Sequence, residues 1–366
     1  MARSRIEYFA GGNTAKGFVS QFDSVFQGLD RLYILKGGPG NGKSTFIRSI
    51  ANSLEQRGQP VELIRCSSDP DSFDGVIARK LRIGIVDGTA PHVIEPKIPG
   101  AVDVYVNLGA AWDTAKLARR KDSIASIQAA VSEAYAKAYR CFAEALAIHD
   151  EWEMIYIRNT DFEAAEQLTA KLIQTIFSDS RLDKTAFEVH RFLGAATPIG
   201  SVDCIPSLTA DIKKRYFLKG RPGTGKSTLL GKIADTGRQR GYDTEIYHCG
   251  FDPKSLDMVI FPELSIALFD STAPHEYFPE RPSDEIIDLY ELAVKPGTDE
   301  AYAEQLAAIQ SRYAAAIKQG IAHLAEAKRN RDQLEQLYVD ATDFNQVDEL
   351  REQVWQEIVH AAGLEA

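Results

Sequence analysis

Shifted by 183 positions, the chain lies on itself without a gap from Phe9 to His92. Over residues 36–92 against 219–275 there are 28 identities in 57 aligned pairs. LKGGPGNGKST meets LKGRPGTGKST, and Cys66-Ser67-Ser68-Asp69-Pro70 meets Cys249-Gly250-Phe251-Asp252-Pro253. The match resumes at Asp103-Val104-Tyr105 with Asp288-Leu289-Tyr290, and again at Thr160-Asp161-Phe162 with Thr342-Asp343-Phe344. So long a period excludes a solenoid, whose repeats are far shorter, and makes each copy a domain with its own core. We therefore expect a tandem duplication with units at 1–184 and 185–366, packed on each other as an internal pseudo-dimer. Two domains also suit a chain of 366 residues.

Within one unit the pattern is α/β. Arg31–Lys36 is a short apolar run entering a glycine-rich loop, and from Lys43 onward apolar residues recur at 46, 47, 50 and 54 until Gly58. That periodicity and the terminal glycine predict a helix. Further strands are expected at about 61–66, 81–86 and 102–108, and in the second copy at about 215–219, 244–249 and 264–269. Strands alternating with helices imply a mostly parallel sheet flanked by helices. Each unit then turns helical, at about 114–180 and about 298–362. Here apolar residues spaced three and four apart, such as Ile124, Ile127, Val131 and Tyr135, or Leu306, Ile309 and Tyr313, make long amphipathic helices. The simplest partner for such a helix is its own unit's sheet; a pairing face between units or a protein-partner surface is the alternative. Thr160-Asp161-Phe162-Glu163 reads as a capping box opening a further helix.

The glycine-rich loops carry the chemistry. Gly37-Gly38-Pro39-Gly40-Asn41-Gly42-Lys43-Ser44, followed by Thr45, fits G-x-x-x-x-G-K-[ST]. So does Gly220-Arg221-Pro222-Gly223-Thr224-Gly225-Lys226-Ser227, followed by Thr228. Glycines let backbone N–H groups turn inward around phosphates, and the following helix N-terminus adds positive potential. In this pattern the lysine reaches the β- and γ-phosphates and the serine hydroxyl ligates Mg²⁺.

With these two motifs the sequence resembles the P-loop NTPase superfamily, over about 30–110 and 213–295. The resemblance implies that an aspartate closing an apolar strand binds Mg²⁺ through water; Asp87, after Leu81–Val86, and Asp270, after Leu264–Phe269, match it. Many ATP hydrolases of the superfamily place a glutamate next, whereas this chain has Gly88 and Ser271. A water-polarising base is therefore missing from its usual place. Thr89 with His92, and Thr272 with His275, in the repeated Thr-Ala-Pro-His run, are candidates to sense the phosphate or position water. We count Lys43, Lys226, Asp87, Asp270, His92 and His275 as candidate catalytic residues, and Ser44, Asp87, Ser227 and Asp270 as candidate Mg²⁺ ligands. The absence of an N-K-x-D sequence leaves ATP as the expected nucleotide. The layout also resembles a sparsely characterised group of bacterial tandem P-loop proteins described as ATPases or nucleotide-binding proteins, a likeness that supplies no substrate.

Other residues have competing readings. Asp69, Asp74, Asp252 and Asp257 are candidate carboxylates serving a phosphoryl acceptor, though Asp69-Pro70 and Asp252-Pro253 also read as ordinary helix starts. Arg57 and Arg240 read as cations at helix C-termini, about 20 Å from their own loops. Cys66 and Cys249 read as buried strand ends.

Composition narrows the function classes. The first 184 residues carry 23 Lys+Arg and 23 Asp+Glu, the remainder 19 and 29, so the net charge of −10 lies wholly in the second half. An acidic half argues against a general nucleic-acid binder. The chain shows neither a membrane-length apolar run nor the apolar core of an export signal at its start. Its four cysteines form no CxxC pair, which suits a reducing cytoplasmic compartment. Three activities fit: slow Mg²⁺-dependent ATP hydrolysis at two sites, a small-molecule or nucleoside kinase, or a non-catalytic nucleotide switch that recruits a protein.

Overall fold

A computed structural model describes residues 5–364. Residues 1–4, at the start read as lacking an export signal, and 365–366, the end of the second expected unit, lie outside the described residues. The fold is α/β. The first half supplies β1 (Arg5–Phe9), β2 (Arg31–Lys36), β3 (Val61–Arg65), β4 (Phe73–Ala78), β5 (Ile83–Asp87) and β6 (Asp103–Asn107). The second supplies β7 (Glu188–Phe192), β8 (Lys214–Lys219), β9 (Thr244–His248), β10 (Leu256–Phe261), β11 (Ile266–Asp270) and β12 (Glu285–Asp288). All twelve form one sheet in the order β12-β8-β11-β10-β9-β7-β1-β3-β4-β5-β2-β6. Six of its eleven neighbour pairings are parallel. The halves join at the centre, where β1 and β7 meet antiparallel through the single pair Phe9 and Phe192.

β4 and β10 run antiparallel to both neighbours. They correct the helix-start reading of Asp69-Pro70 and Asp252-Pro253. Each aspartate instead closes a turn, its carbonyl accepting from the amide of Ser72 at 2.9 Å or Ser255 at 3.0 Å. The runs that follow, FDGVIA and LDMVIF, are too short and β-prone for a helix and are buried on arrival in the sheet.

Strand alternation divides the core. In β2, Leu32 and Ile34 face one side and Tyr33 and Leu35 the other. The first side is a single core shared by both halves, running from Ile6, Phe22 and Val86 to Phe192, Phe217 and Phe269. At its centre Arg191, only 1% exposed, lies 2.8 Å from Glu62, which Arg79 also holds at 2.9 Å. Burial would raise the Glu62 carboxyl, but these two guanidiniums bring it down to about 2.

The opposite side carries the helices α1 (Lys43–Gln56), α3 (Phe162–Phe177), α4 (Lys226–Gln239) and α6 (Phe344–Ala362), and two long helices, α2 (Lys121–Ile157) and α5 (Ala303–Val339), complete the helical layer. Here the expectation that each helical region packs on its own sheet is overturned. α6 of the second half buries Val347, Val354, Trp355 and Ile358 against α1 and the first half's strands. α3 of the first half buries Leu172, Ile176 and Phe177 against α4 and the second half's strands. The long helices α2 and α5 cross between the halves as an antiparallel pair: Ile155 and Tyr156 cluster with Leu306 and Ile309, while Ala138 and Phe142 cluster with Leu324. Backbone bonds pin both ends of the exchange, from Asp113 N to Ala341 O and from Asp161 N to Ala293 O, each 2.7 Å. A narrow apolar stripe fits either sheet, so periodicity alone does not choose between them. At the head of α3 the cap is Asp161, accepting from the amides of Glu163 and Ala164, whereas the Thr160 hydroxyl bonds Tyr156 O. Among the described residues no helix is long and apolar enough to cross a membrane.

Candidate functional site

Each glycine-rich loop leaves the carboxyl end of a strand, β2 or β8, and turns into α1 or α4. The turn needs left-handed backbone at Gly40 (φ 71°) and Gly42 (φ 88°), and at Gly223 (φ 78°) and Gly225 (φ 93°), which glycine adopts without a side-chain clash. Gly42 and Gly225 are the N-caps. Thr45 and Thr228 are exposed on the first helical turn, and Pro39 and Pro222 are half-buried in the loops.

The chemistry-bearing side chains converge in both halves. Lys43 Nζ donates to Gly38 O at 2.6 Å and lies 3.7 Å from Asp87 Oδ2. Lys226 Nζ donates to Arg221 O at 3.0 Å and lies 3.6 Å from Asp270 Oδ2. Burial pulls the Lys43 pKa down, against the opposing attraction of Asp87. Ser44 and Ser227 accept the amides of Phe73 and Leu256, each at 2.9 Å, which places both hydroxyls at the head of the antiparallel strand. Asp87 Oδ1 accepts from the amide (2.9 Å) and hydroxyl (2.5 Å) of Thr89, and Asp270 Oδ1 accepts likewise from Thr272 at 3.0 and 2.6 Å. The two threonines thus orient the aspartates, leaving Oδ2 toward the lysine. A hydroxyl and a carboxylate oxygen on neighbouring elements are the hard donors Mg²⁺ accepts. Asn41 Nδ2, buried without a partner in the first loop, is a donor waiting for an acceptor.

His92 and His275 follow Ala90-Pro91 and Ala273-Pro274, both cis peptides. They are held by acids: His92 Nε2 lies 3.5 Å from Asp74 Oδ2, and His275 Nδ1 lies 3.1 Å from Asp203 Oδ2. Asp74 and Asp257, read from sequence among four carboxylates of equal standing, stand apart in the structure. Each is buried on β4 or β10, one position beyond the pairs Gly75 with Val86 and Met258 with Phe269, hence beside Asp87 or Asp270. Asp69 and Asp252 serve their turns, bonding the hydroxyls of Ser72 and Ser255. Cys66 and Cys249 sit at strand ends with thiols pushed up by burial. Arg57 and Arg240 end their helices, each lying over a ring from the other half, Trp355 at 4.7 Å and Phe177 at 5.6 Å.

The helix exchange brings residues that sequence reading missed. A Cβ on Gly40 would meet Glu335 O at 2.6 Å, and one on Gly223 would meet Glu153 O at 2.7 Å. Each loop is therefore closed by a turn of the other half's long helix. Phe344, 41% exposed, comes within 3.6 Å of a Cβ on Gly42, and Phe162, 48% exposed, shares a small cleft with Gly225 and Thr228. Only a local sign existed in the sequence, the repeated Thr-Asp-Phe, and it read as a helix cap.

No family model, curated protein or solved structure matches the chain.

Proposed function

We propose that the chain is a tandem P-loop NTPase that binds Mg²⁺–ATP at two sites, one per half, and hydrolyses it slowly. The observation that carries this reading is the convergence, twice over, of a lysine, a serine and a strand-end aspartate around a left-handed glycine loop at a helix N-terminus. Ser44 with Asp87, and Ser227 with Asp270, are the groups that would hold Mg²⁺, which would supply positive charge against the phosphates. Lys43 and Lys226 exchange a backbone carbonyl for phosphate oxygen. Phe344 and Phe162 offer the base an apolar face in trans.

Slow turnover follows from the residues beside each strand-end aspartate. With Gly88 and Ser271 where a glutamate is usual, the carboxylates nearest the strand-end aspartates are Asp74 and Asp257. Asp257 Oδ2 is buried without a partner, so it has a free lone pair to take the proton of an attacking water. The same orphan oxygen favours a second reading, phosphoryl transfer to a small hydroxyl acceptor, with Asp257 deprotonating it.

The test is phosphate release from Mg²⁺–ATP without acceptor. Lys43→Ala and Lys226→Ala should each remove part of the turnover, and the double variant should lower it at least about a hundredfold, the scale of lost charge stabilisation. ATP binding with no release except on adding a hydroxyl acceptor supports transfer instead. Binding with no turnover under either condition supports the switch.

A further inference from the structure

The repeat also aligns the long helices: Tyr156 with Tyr338 sets the shift at 182, which pairs Glu153 with Glu335, the two residues whose carbonyls close the loops. The same shift pairs Arg331 with His149 and Lys328 with Leu146. At these two positions the second half brings cations toward the first site, where the first half brings His149 and Leu146 toward the second.

Arg331 sits where the first half's strands end, among Cys66, Asp74 and Tyr135. Among the described residues its only hydrogen bond runs from Nε to Glu335 Oε1 at 3.1 Å, so both terminal nitrogens remain as donors. It is close enough to Lys43 that its charge adds to the depression of the lysine's pKa by burial. Two cations sharing one cleft repel each other unless an anion lies between them. Lys328, one turn earlier, reaches Asp69 at 3.6 Å. In the second site His149 is packed among Trp152, Phe251 and Tyr313. Burial lowers its pKa and Lys226 adds to that, with Asp150 opposing, so it is neutral at pH 7. The second loop has its own arginine, Arg221 in place of Gly38, but that guanidinium is taken by Asp299 at 2.8 Å and lies over Tyr290.

We propose that Arg331 binds the terminal phosphate of the nucleotide in the first site, so that the first site distinguishes triphosphate from diphosphate while the second, with His149 in that place, holds both alike. This rests on reading both loops as nucleotide sites. A nucleoside triphosphate and its diphosphate would then act on different parts of one chain: the first site reports the γ-phosphate across the helix exchange, and the second stays filled through a cycle.

The experiment separates the sites with Lys226→Ala, which leaves the first lysine, and Lys43→Ala, which leaves the second. Binding of a non-hydrolysable Mg²⁺–ATP analogue and of Mg²⁺–ADP is measured in each. In the Lys226→Ala protein, adding Arg331→Ala should lower the preference for the triphosphate about tenfold or more, as loss of a charge-assisted hydrogen bond predicts. Arg331→Lys should restore part of it. In the Lys43→Ala protein the same substitution should change nothing, which also controls for folding, and His149→Arg should create a triphosphate preference. An unchanged preference at the first site, or an equal loss at both, overturns the assignment of Arg331. Absence of nucleotide binding to the unaltered protein overturns the reading of the loops themselves, a distinct result.

Discussion

The two sites share their lysine, serine, aspartates, threonine and histidine, yet their histidines are paired differently. In the first, His92 stacks on Phe22 at 4.6 Å and turns to Asp74 at 3.5 Å. In the second, His275 turns to Asp203 at 3.1 Å, which also accepts the Tyr277 hydroxyl at 2.8 Å. The residue equivalent to Asp203 is Ser20, which offers a histidine no charge. The two buried carboxylates beside these histidines shift in opposite directions. Burial would raise Asp74, but the charge and hydrogen bond of His92, with help from Cys66 and Arg331, hold it below its ordinary value. Burial and the nearby Asp270 push Asp257 from 3.8 up to about 7, and His275, hydrogen-bonded to Asp203, opposes this only through its charge. Residues that match between the repeats thus sit in different electrostatic surroundings, and the histidine's partner differs through a residue outside the repeated motif.

The largest contrast should come from removing each carboxylate in Mg²⁺-free buffer. Asp74→Asn breaks a buried pair and should cost about 3–5 kcal/mol near neutral pH. That loss should shrink as pH falls through the folded Asp74 value, because the wild type then loses the same stabilisation. Asp257→Asn should do the opposite. Its raised pKa means the folded state binds a proton between about pH 4 and 7 that the unfolded state does not, so wild-type stability falls as pH rises through that window. A rise from 3.8 to about 7 corresponds to roughly 4 kcal/mol above pH 7. The substitution should therefore stabilise at pH 8 and be neutral near pH 4, and urea midpoints across pH read both signs. A same-signed response would remove the distinction between the sites.

Packing across the exchange should matter nearly as much. Phe177 is 1% exposed and Ile358 0%, each buried in the other half's core. Phe177→Ala should cost about 3–5 kcal/mol and Ile358→Ala about 2–5 kcal/mol. Hydrogen exchange locates the damage: Phe177→Ala should weaken protection in α4, and Ile358→Ala in α1. Protection lost instead in the half that carries the substitution would contradict the crossing.

The finest test converts one site into the other. Asp203→Ser should free His275 to turn toward Asp257, as His92 turns toward Asp74, and bring the Asp257 carboxyl below 7. The net change in stability should be small, about 1 kcal/mol, because the hydrogen bonds that Asp203 accepts from His275, the Tyr277 hydroxyl and the Ile205 amide are offset by the new pair of His275 with Asp257. An NMR titration of the carboxyl carbons follows it directly, and an Asp257 that still titrates near 7 would mean burial, not the histidine, controls it.

Much of this molecule was legible residue by residue. β2 falls on Arg31–Lys36 as its apolar run predicts, and α2 and α3 lie within the helical stretch expected at about 114–180. Those features are local: alternation, helical spacing, a glycine where the chain must turn left-handed. β4 and β10 escaped because Asp-Pro-x-Ser is shared by helix starts and turns, and what decides is the neighbouring strands waiting to pair. Arg331 and His149 escaped for a stronger reason. On an isolated helix they are ordinary polar positions, and nothing within several turns marks them as facing a loop in the other half. The sequence by itself determined most of the elements, their repeat and the chemical groups at the loop ends, since short-range sterics and burial patterns specify those. Only the tertiary structure decided which sheet each helix covers and which acid each histidine meets, because such pairings depend on surfaces brought together from distant parts of the chain.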